Sequence, residues 1–311
     1  MSELEDKYHQ DSVHDEISLI EIFNVLWRKK ITIIFITTFV AIVAIIVSLI
    51  LPNKYESKAI LSPAGTGDSI SSALQSYSGL AGLAGISLPS SSNESNSKKA
   101  IQKINSLSFF ENNILPNIFL PDLMAHDSWN ADTKLLSYKD KKYDSNAGKW
   151  VRKYSHPYKQ IPSAQESFIE FKKWHFSLSE DKKTGFVTIK IKHKSPIVAK
   201  EWVELIIDEV NIFYKQKDKS ESEKSVSYLN KQIAMTNLSE VKEAVSKLLQ
   251  EETKKLSLIE ARESYVFEYI DPPAVMEKKS EPQRAIIVIL STLLGGMLAI
   301  LYVLARRYLK N

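Results

Sequence analysis

Residues 31–51 read ITIIFITTFVAIVAIIVSLIL, and residues 285–305 read AIIVILSTLLGGMLAILYVLA. Neither stretch contains Asp, Glu, Lys, Arg or His. At ~1.5 Å of rise per residue, such a run makes a helix of ~31 Å, the thickness of a bilayer's hydrocarbon core. Two of them predict a chain that crosses a membrane twice and exclude a soluble cytoplasmic enzyme. The first is too long for the apolar region of a cleaved signal. The Leu51-Pro52-Asn53-Lys54-Tyr55 that follows offers no small-residue cleavage site, so it reads as a retained anchor.

Working outward, Arg28, Lys29 and Lys30 precede the first span, and Arg306, Arg307 and Lys310 follow the second. The inner flanks carry Lys54, Lys58, Lys278, Lys279 and Arg284. That contrast is modest, but the intervening 52–284 form a long loop, for which charge matters less. Both termini in the cytoplasm and a large external domain is the expected topology. The chain divides into a 1–30 amphipathic segment, spans at 31–51 and 285–305, the domain at 52–284 and a tail at 306–311. Of the 311 residues, 44% are apolar and 25% charged, and the net charge is +4. The excess is spread thinly, a solvated surface rather than a nucleic-acid site. No cysteine is present, which excludes disulfides, Cys-liganded zinc, iron–sulfur clusters and thiol catalysis.

Within the domain, Lys54–Leu61 and Tyr265–Ile270 read as strands, each tethered near a span. They are expected to pair and share one sheet near the membrane. Residues 62–97 are rich in Ser and Gly and read as a flexible loop. They contain the apolar run Gly79-Leu80-Ala81-Gly82-Leu83-Ala84-Gly85-Ile86. Residues 98–172 suggest short helices separated by Pro116, Pro121, Pro157 and Pro162. Trp174–Leu178 and Val187–Lys192 flank Asp181–Gly185 as a β-hairpin, with Val187, Ile189 and Ile191 on one face.

Ser195-Pro196 begins a helix, with Ser as cap and Pro at the first position. Ala199, Trp202, Val203, Ile206, Val210 and Phe213 give it a buried stripe. From Lys215 to Lys224 the pattern turns polar on all sides, and Val226, Leu229 and Ile233 resume the stripe. Asn237 and Glu240 are spaced for a reciprocal cap, and Val241, Val245, Leu248, Leu249 and Leu256 suggest a second long helix. With no proline between Pro196 and Pro272, ~65 residues of nearly continuous helix would reach ~100 Å.

No enzyme site emerges: no phosphate loop ending in Lys-Ser or Lys-Thr, no His-Glu-x-x-His, no Gly-x-Ser-x-Gly. His9, His14, His126, His156, His175 and His193 are scattered and read as surface or turn residues, not metal ligands. Asp208-Glu209 and Glu251-Glu252 read as solvated helix faces rather than a glycosidase pair. Catalytic residues, cofactors and metals are therefore expected to be absent.

The segment Tyr265–Arg284 holds Pro272, Pro273 and Pro282 and runs into the second span. Prolines fix φ and cannot donate, so they end the strand and stiffen the approach to the bilayer. With Glu16–Lys30, Tyr55-Glu56-Ser57-Lys58-Ala59 and the Gly-Leu-Ala repeats, this segment resembles the chain-length determinant (Wzz-type) polysaccharide co-polymerases. The resemblance covers roughly residues 15–65 and 265–305. Only six residues follow the second span, which points to the kinase-free branch.

The resemblance implies an α+β fold: two transmembrane helices flanking a periplasmic α/β base with a long helical, coiled-coil-like extension. It implies a homo-oligomeric ring in the bacterial inner membrane, acting without catalysis beside a membrane polymerase on a lipid-linked glycan. Lipopolysaccharide O-antigen modal length is the leading expectation. The alternatives are an adaptor for capsule export by an ATP-driven transporter, and a membrane-anchored activator of a separate tyrosine kinase. In the second span Ser291, Gly295 and Ala299 recur every four residues, a small-residue stripe where helices approach closely. This stripe, with Pro272, Pro273, Pro282 and Arg284, is the expected packing or polymerase-contact region.

Overall fold

The computed structural model describes residues 19–64 and 92–308, in two compact units. The Gly-Leu-Ala run and most of the Ser/Gly-rich stretch lie outside the described residues. One unit comprises residues 1–53 and 280–311, the other Lys54–Lys279.

The first unit contains α1 (Leu19–Arg28), α2 (Lys30–Ile50) and α7 (Arg284–Tyr308). The last two are long and apolar enough to cross a membrane, with mean hydropathy 3.0 and 2.5. They lie antiparallel along one another. Most of their apolar side chains, including Phe35, Phe39, Leu293 and Leu298, are exposed, as lipid solvation requires.

The second unit is built on a four-stranded antiparallel sheet. It contains β1 (Tyr55–Pro63), β6 (Phe176–Glu180), β7 (Val187–His193) and β8 (Phe267–Asp271), in the order β6-β7-β1-β8. The two strands expected to pair do so: Pro63 faces Phe267 and Leu61 faces Tyr269, with a register shift between Ile60 and Leu61. The β6–β7 hairpin also forms, Leu178 opposite Ile189. Its turn closes through Gly185, whose φ of 71° an L side chain rarely adopts.

Strand alternation fixes the two faces of this sheet. Ser57, Ala59 and Leu61 of β1 and Val187, Ile189 and Ile191 of β7 are buried. The opposite face is charged, with Glu56 3.3 and 3.6 Å from Lys190 and Lys192. An antiparallel sheet covered on one side only is the α+β solution. The cover is α5 (Pro196–Met235), capped by Ser195, whose Oγ accepts the Val198 N–H. Ala199, Trp202, Val203, Ile206 and Val210 are buried as the periodicity predicts, and Phe213 packs at the edge of the same core. Helices α3 (Ser92–Ile104) and α4 (Ala164–Glu170) add Ile101, Ile104 and Phe168 to it.

Residues 98–172 hold short helices, as expected, but the prolines do not play the expected part. Pro116 and Pro121 do not separate helices; they stand in the first turns of the short helices Leu115–Asn117 and Leu120–Met124, where a missing N–H costs nothing. Two small hairpins follow: β2 (His126–Asn130) with β3 (Leu135–Tyr138), and β4 (Tyr143–Asp144) with β5 (Lys149–Trp150). Their strands are too short and polar to leave a period-two signal.

The expected ~100 Å helix is also corrected. α5 runs 40 residues, ~60 Å, and stops at Thr236-Asn237-Leu238, after which α6 (Ser239–Ala261) folds back along it. Thr and Asn are weak helix formers, and their break needs no proline. The Asn237–Glu240 cap does not form: Leu238 is the cap and no side chain bonds there. Nor is the polar stretch of α5 in water on all sides. Lys219 lies 2.8 Å from Glu260, Lys215 donates to the Arg262 carbonyl at 2.5 Å, and Ser222 is buried. The polar face is where the returning chain docks.

Candidate functional site

The proline motif divides between the two units. In the second, Pro272 and Pro273 end β8, Pro273 being buried, and the next carbonyl, of Ala274, accepts the buried Ser57 hydroxyl at 2.9 Å. A residue of β1 thus holds the segment in place after the ladder has run out of N–H donors. The start of β8 is fixed by a side chain acting as a strand. Asn211 of α5 accepts from the Val266 and Phe267 N–H groups at 2.8 and 3.0 Å and donates to the Phe267 carbonyl at 3.1 Å. Sequence reading gave Asn211 no role, because a polar residue inside a helix carries no signature of the strand it will serve.

In the first unit, Pro282 follows a cis peptide and its carbonyl accepts the Arg284 N–H at 3.0 Å. The Arg284 guanidinium reaches the end of α2, donating from Nε to the Ser48 carbonyl at 3.2 Å and from Nη2 to Asn53 Oδ1 at 3.3 Å. Carbonyls in the last helical turn lack intrahelical partners, and a cation there also complements the helix dipole. Arg284 therefore clamps the start of one span to the end of the other.

Ser291, Gly295 and Ala299 lie on the face of α7 that meets α2. Gly295 and Ala299 are buried and Ser291 is half-buried. A Cβ on Gly295 would stand 2.8 Å from Val40 Cβ and Cγ1, closer than any side chain tolerates. Ala44 and Ser48 complete the contact from α2. The stripe therefore holds the two spans of one chain together, leaving Leu293, Leu294, Met297 and Leu298 on the outer face.

A third feature was not legible in the sequence. His126, His175 and His193, expected at the surface, come together beside Trp202, with ring centroids 4.7–5.4 Å apart. His175 and His193 are buried and His126 is half-buried. The one clue was alternation: His193 stands two residues past Ile191, on the buried face of β7. Because carbonyls can only accept, the rings donate: His126 Nδ1 to Asp122 O at 2.7 Å, His175 Nδ1 to Lys192 O at 2.8 Å, and His193 Nε2 to Asp122 O at 3.0 Å. His193 Nδ1 accepts the Ser195 N–H at 3.0 Å, which makes this ring neutral.

Burial pushes all three down, His126 to about 2, His175 to about 3 and His193 to about 4, and their mutual repulsion with Lys194 and Lys54 adds to this. Among the described residues no group of three His, Asp or Glu could hold a metal ion. The cluster joins β2, β7 and α5 and sets the strand next to β1. Of the acidic pairs, Glu209 is not simply solvated: it accepts from Asn113 and Asn117 at 3.2 and 3.3 Å.

Compared with known proteins, residues 15–114 match the Wzz family model, described as chain length determinant protein. Residues 231–308 match a second, described as a G-rich domain on putative tyrosine kinase. No curated protein matches the sequence. Among solved structures, a full-length bacterial polysaccharide co-polymerase aligns over 94% of this chain and 98% of its own, at 16% identity and a TM-score of 0.41. A fragment of the polysaccharide co-polymerase WzzB from Salmonella Typhimurium aligns over 74% of this chain and all of its own, at 11% identity and a TM-score of 0.32. The kinase-free branch read from the sequence is left undecided by these matches, since the second model is described by its occurrence on a putative tyrosine kinase.

Proposed function

We propose that this chain is a chain-length determinant (Wzz-type) polysaccharide co-polymerase, a reading supported by the family match of residues 15–114, and that it sets the length of a bacterial surface polysaccharide, with lipopolysaccharide O-antigen the first candidate. It acts without catalysis, as a homo-oligomeric ring in the inner membrane, beside the polymerase that extends a lipid-linked glycan. Both termini are cytoplasmic and the unit between the spans is periplasmic. The outer face of α7 and the proline segment that feeds it touch the polymerase; the Ser291, Gly295 and Ala299 stripe serves that contact by fixing α7 against α2.

One observation carries the reading. The α5–α6 hairpin, only two helices thick, exposes Met235 at 78%, Leu238 at 68% and Tyr228 at 61%, with Val241, Leu248 and Leu258 also on the outside. Apolar surface of this kind calls for a protein neighbour, and copies of the same chain side by side supply one for every subunit.

Deleting the gene and running the extracted lipopolysaccharide on a silver-stained gel tests the proposal. Loss of a preferred band cluster, restored by a complementing copy, is the expected result. An unchanged ladder with lost capsule would transfer the function to the export adaptor. The match of residues 231–308 to a kinase-associated domain favours one further reading, in which the chain supports a tyrosine kinase supplied by another protein. A phosphotyrosine blot of the deletion strain distinguishes it.

A further inference from the structure

Residues 151–163 of the second unit join β5 to α4 without helix or strand of their own, yet they are tied down at several points. The Arg152 guanidinium binds both carboxylate oxygens of Glu166, in the first turn of α4, and the Lys159 carbonyl. Its Nε donates to the Gln160 carbonyl at 2.9 Å. Gln160 Nε2 donates in turn to the Trp150 carbonyl at 2.8 Å, and the Tyr158 N–H to the Ser155 carbonyl at 2.9 Å. Against this frame lies a cavity of about 400 Å³, within the ~300–1,000 Å³ of small-ligand clefts. Arg152, Lys153, Tyr154, Ser155, Tyr158 and Glu166 line it. Tyr154 and Tyr158 are 59% and 55% exposed, so both rings are presented rather than packed.

A single exposed tyrosine is ordinary on a protein surface. Here two stand on one braced loop, and the bonds that brace it are made by Arg152, Glu166, Gln160 and the backbone, not by either ring. The lining then selects among ligands. Arg152 and Glu166 neutralise each other, which leaves Lys153 as the one further charge, too little for a phosphate. No aliphatic side chain lines the cavity, so an acyl chain or an apolar peptide finds no partner among the described residues. What remains is two flat rings among hydrogen-bonding groups. Four of the five Arg152 N–H groups are taken by Glu166 and the two carbonyls, and among the described residues the fifth, on Nη1, has no acceptor. The Glu166 carboxylate has lone pairs beyond its bonds to Arg152, and Ser155 and both tyrosines carry hydroxyls. A pyranose ring has the complementary form. Its C–H face suits the electron-rich face of an aromatic ring, and its rim of hydroxyls both donates and accepts. Because the loop is already fixed, seating such a ring costs little further ordering.

We propose that this cavity is a saccharide-binding site. Tyr154 and Tyr158 take the ring faces of one or two sugar units, and Arg152, Lys153, Ser155 and Glu166 bond their hydroxyls. The assignment rests on the chain-length reading only for the source of the sugar, a bacterial surface glycan. The second unit then holds that glycan directly, apart from any contact made through the spans.

The test uses the full chain in phosphatidylcholine nanodiscs, because a maltoside detergent brings a competing sugar. The probes are the O-antigen and capsular polysaccharides of the source cells, freed of lipid by mild acid, with polyethylene glycol of matching length as control. Saturation-transfer NMR detects contact, and equilibrium dialysis gives Kd. One of the two polysaccharides is expected to bind saturably, and polyethylene glycol is not. Tyr154→Ala with Tyr158→Ala should weaken binding at least tenfold. Tyr154→Phe with Tyr158→Phe, which keeps the rings, should lose only a few-fold. Both positions are exposed, so the variants should keep the wild-type circular dichroism spectrum. If the alanine pair does unfold, Lys153→Gln with Ser155→Ala replaces it, with a few-fold loss expected. No binding of either polysaccharide, equal transfer to polyethylene glycol, or undiminished affinity in the variants would overturn the proposal. The deletion strain's gel separates the two readings. An unchanged ladder with binding retained removes the chain-length reading and leaves this site; a lost band cluster without binding removes the site alone.

Discussion

The sheet-based part of the second unit and the α5–α6 hairpin share one helix yet are stabilised in opposite ways. Below Tyr214, α5 lies on a core that includes Phe109, Phe110, Phe171, Trp202 and Phe267, all at most 4% exposed. Above it, α5 has a single helix for a neighbour, and Ile259 is the one buried apolar residue of α6. Val226, Leu229 and Ile233 are only half-buried against it. The first region completes its fold within one chain. The second is left with apolar surface that no other described residue covers.

Acid should break this comparison most clearly. The folded base keeps His126, His175 and His193 neutral, with pKa values below the ordinary 6.5, whereas the unfolded chain binds their protons as pH falls through 6.5. The unfolded state holds more protons throughout the window from 6.5 down to about 4, so stability is complete above it and lost below. At pH 5 the loss is about 2 kcal/mol per histidine. Residues 215–261 contain no histidine. Tryptophan fluorescence, which reports the base through Trp129, Trp150, Trp174 and Trp202 and has no contribution from residues 215–261, should therefore change between pH 7.5 and 5 while hairpin helicity holds; simultaneous loss of both would show that the two regions melt as one.

Next in size, Phe110→Ala should destabilise the base by about 3–5 kcal/mol, the removed ring leaving a cavity among Phe168, Phe171 and their neighbours. Urea denaturation of the full chain in detergent measures it. Asn211→Ala should cost about 2–3 kcal/mol, because it strands two backbone N–H groups and a carbonyl at the start of β8. Faster amide exchange at Phe267 would place the effect there rather than in the helix. The smallest change in single-chain stability, within about 0.5 kcal/mol, is expected for Leu238→Ser at the hairpin turn. The same variant should lose oligomer by light scattering; an intact oligomer would mean that the hairpin's apolar surface is not where copies meet.

Much of this was readable one segment at a time. The charge-free runs announced α2 and α7, since the bilayer imposes a length and composition that few other environments do. Alternation in Val187, Ile189 and Ile191 gave β7, and the pairing of β1 with β8 followed from two strands tethered near the spans. Ser195-Pro196 and the Ala199–Val210 stripe gave the start of α5. Less visible were β2 to β5, whose pairs are too short to repeat a pattern, and the helical break at Thr236–Leu238, which no proline marks.

The candidate site divides in the same way. Small residues every fourth position announced a close helix contact, but whether it joined two chains or the two spans of one was decided by Val40, 255 positions before Gly295 in the sequence (295 minus 40). The same is true of Asn211, of Arg284 reaching Ser48, and of three histidines 126, 175 and 193 residues into the chain. By itself the sequence determined which stretches are long and apolar enough to cross a membrane, which face of each strand and helix is apolar, and where strands stop. Those properties depend on neighbours a few residues away. Tertiary structure alone decided which polar groups find partners, because a hydrogen bond or a shared burial is a property of two surfaces, and the chain specifies only one of them at a time.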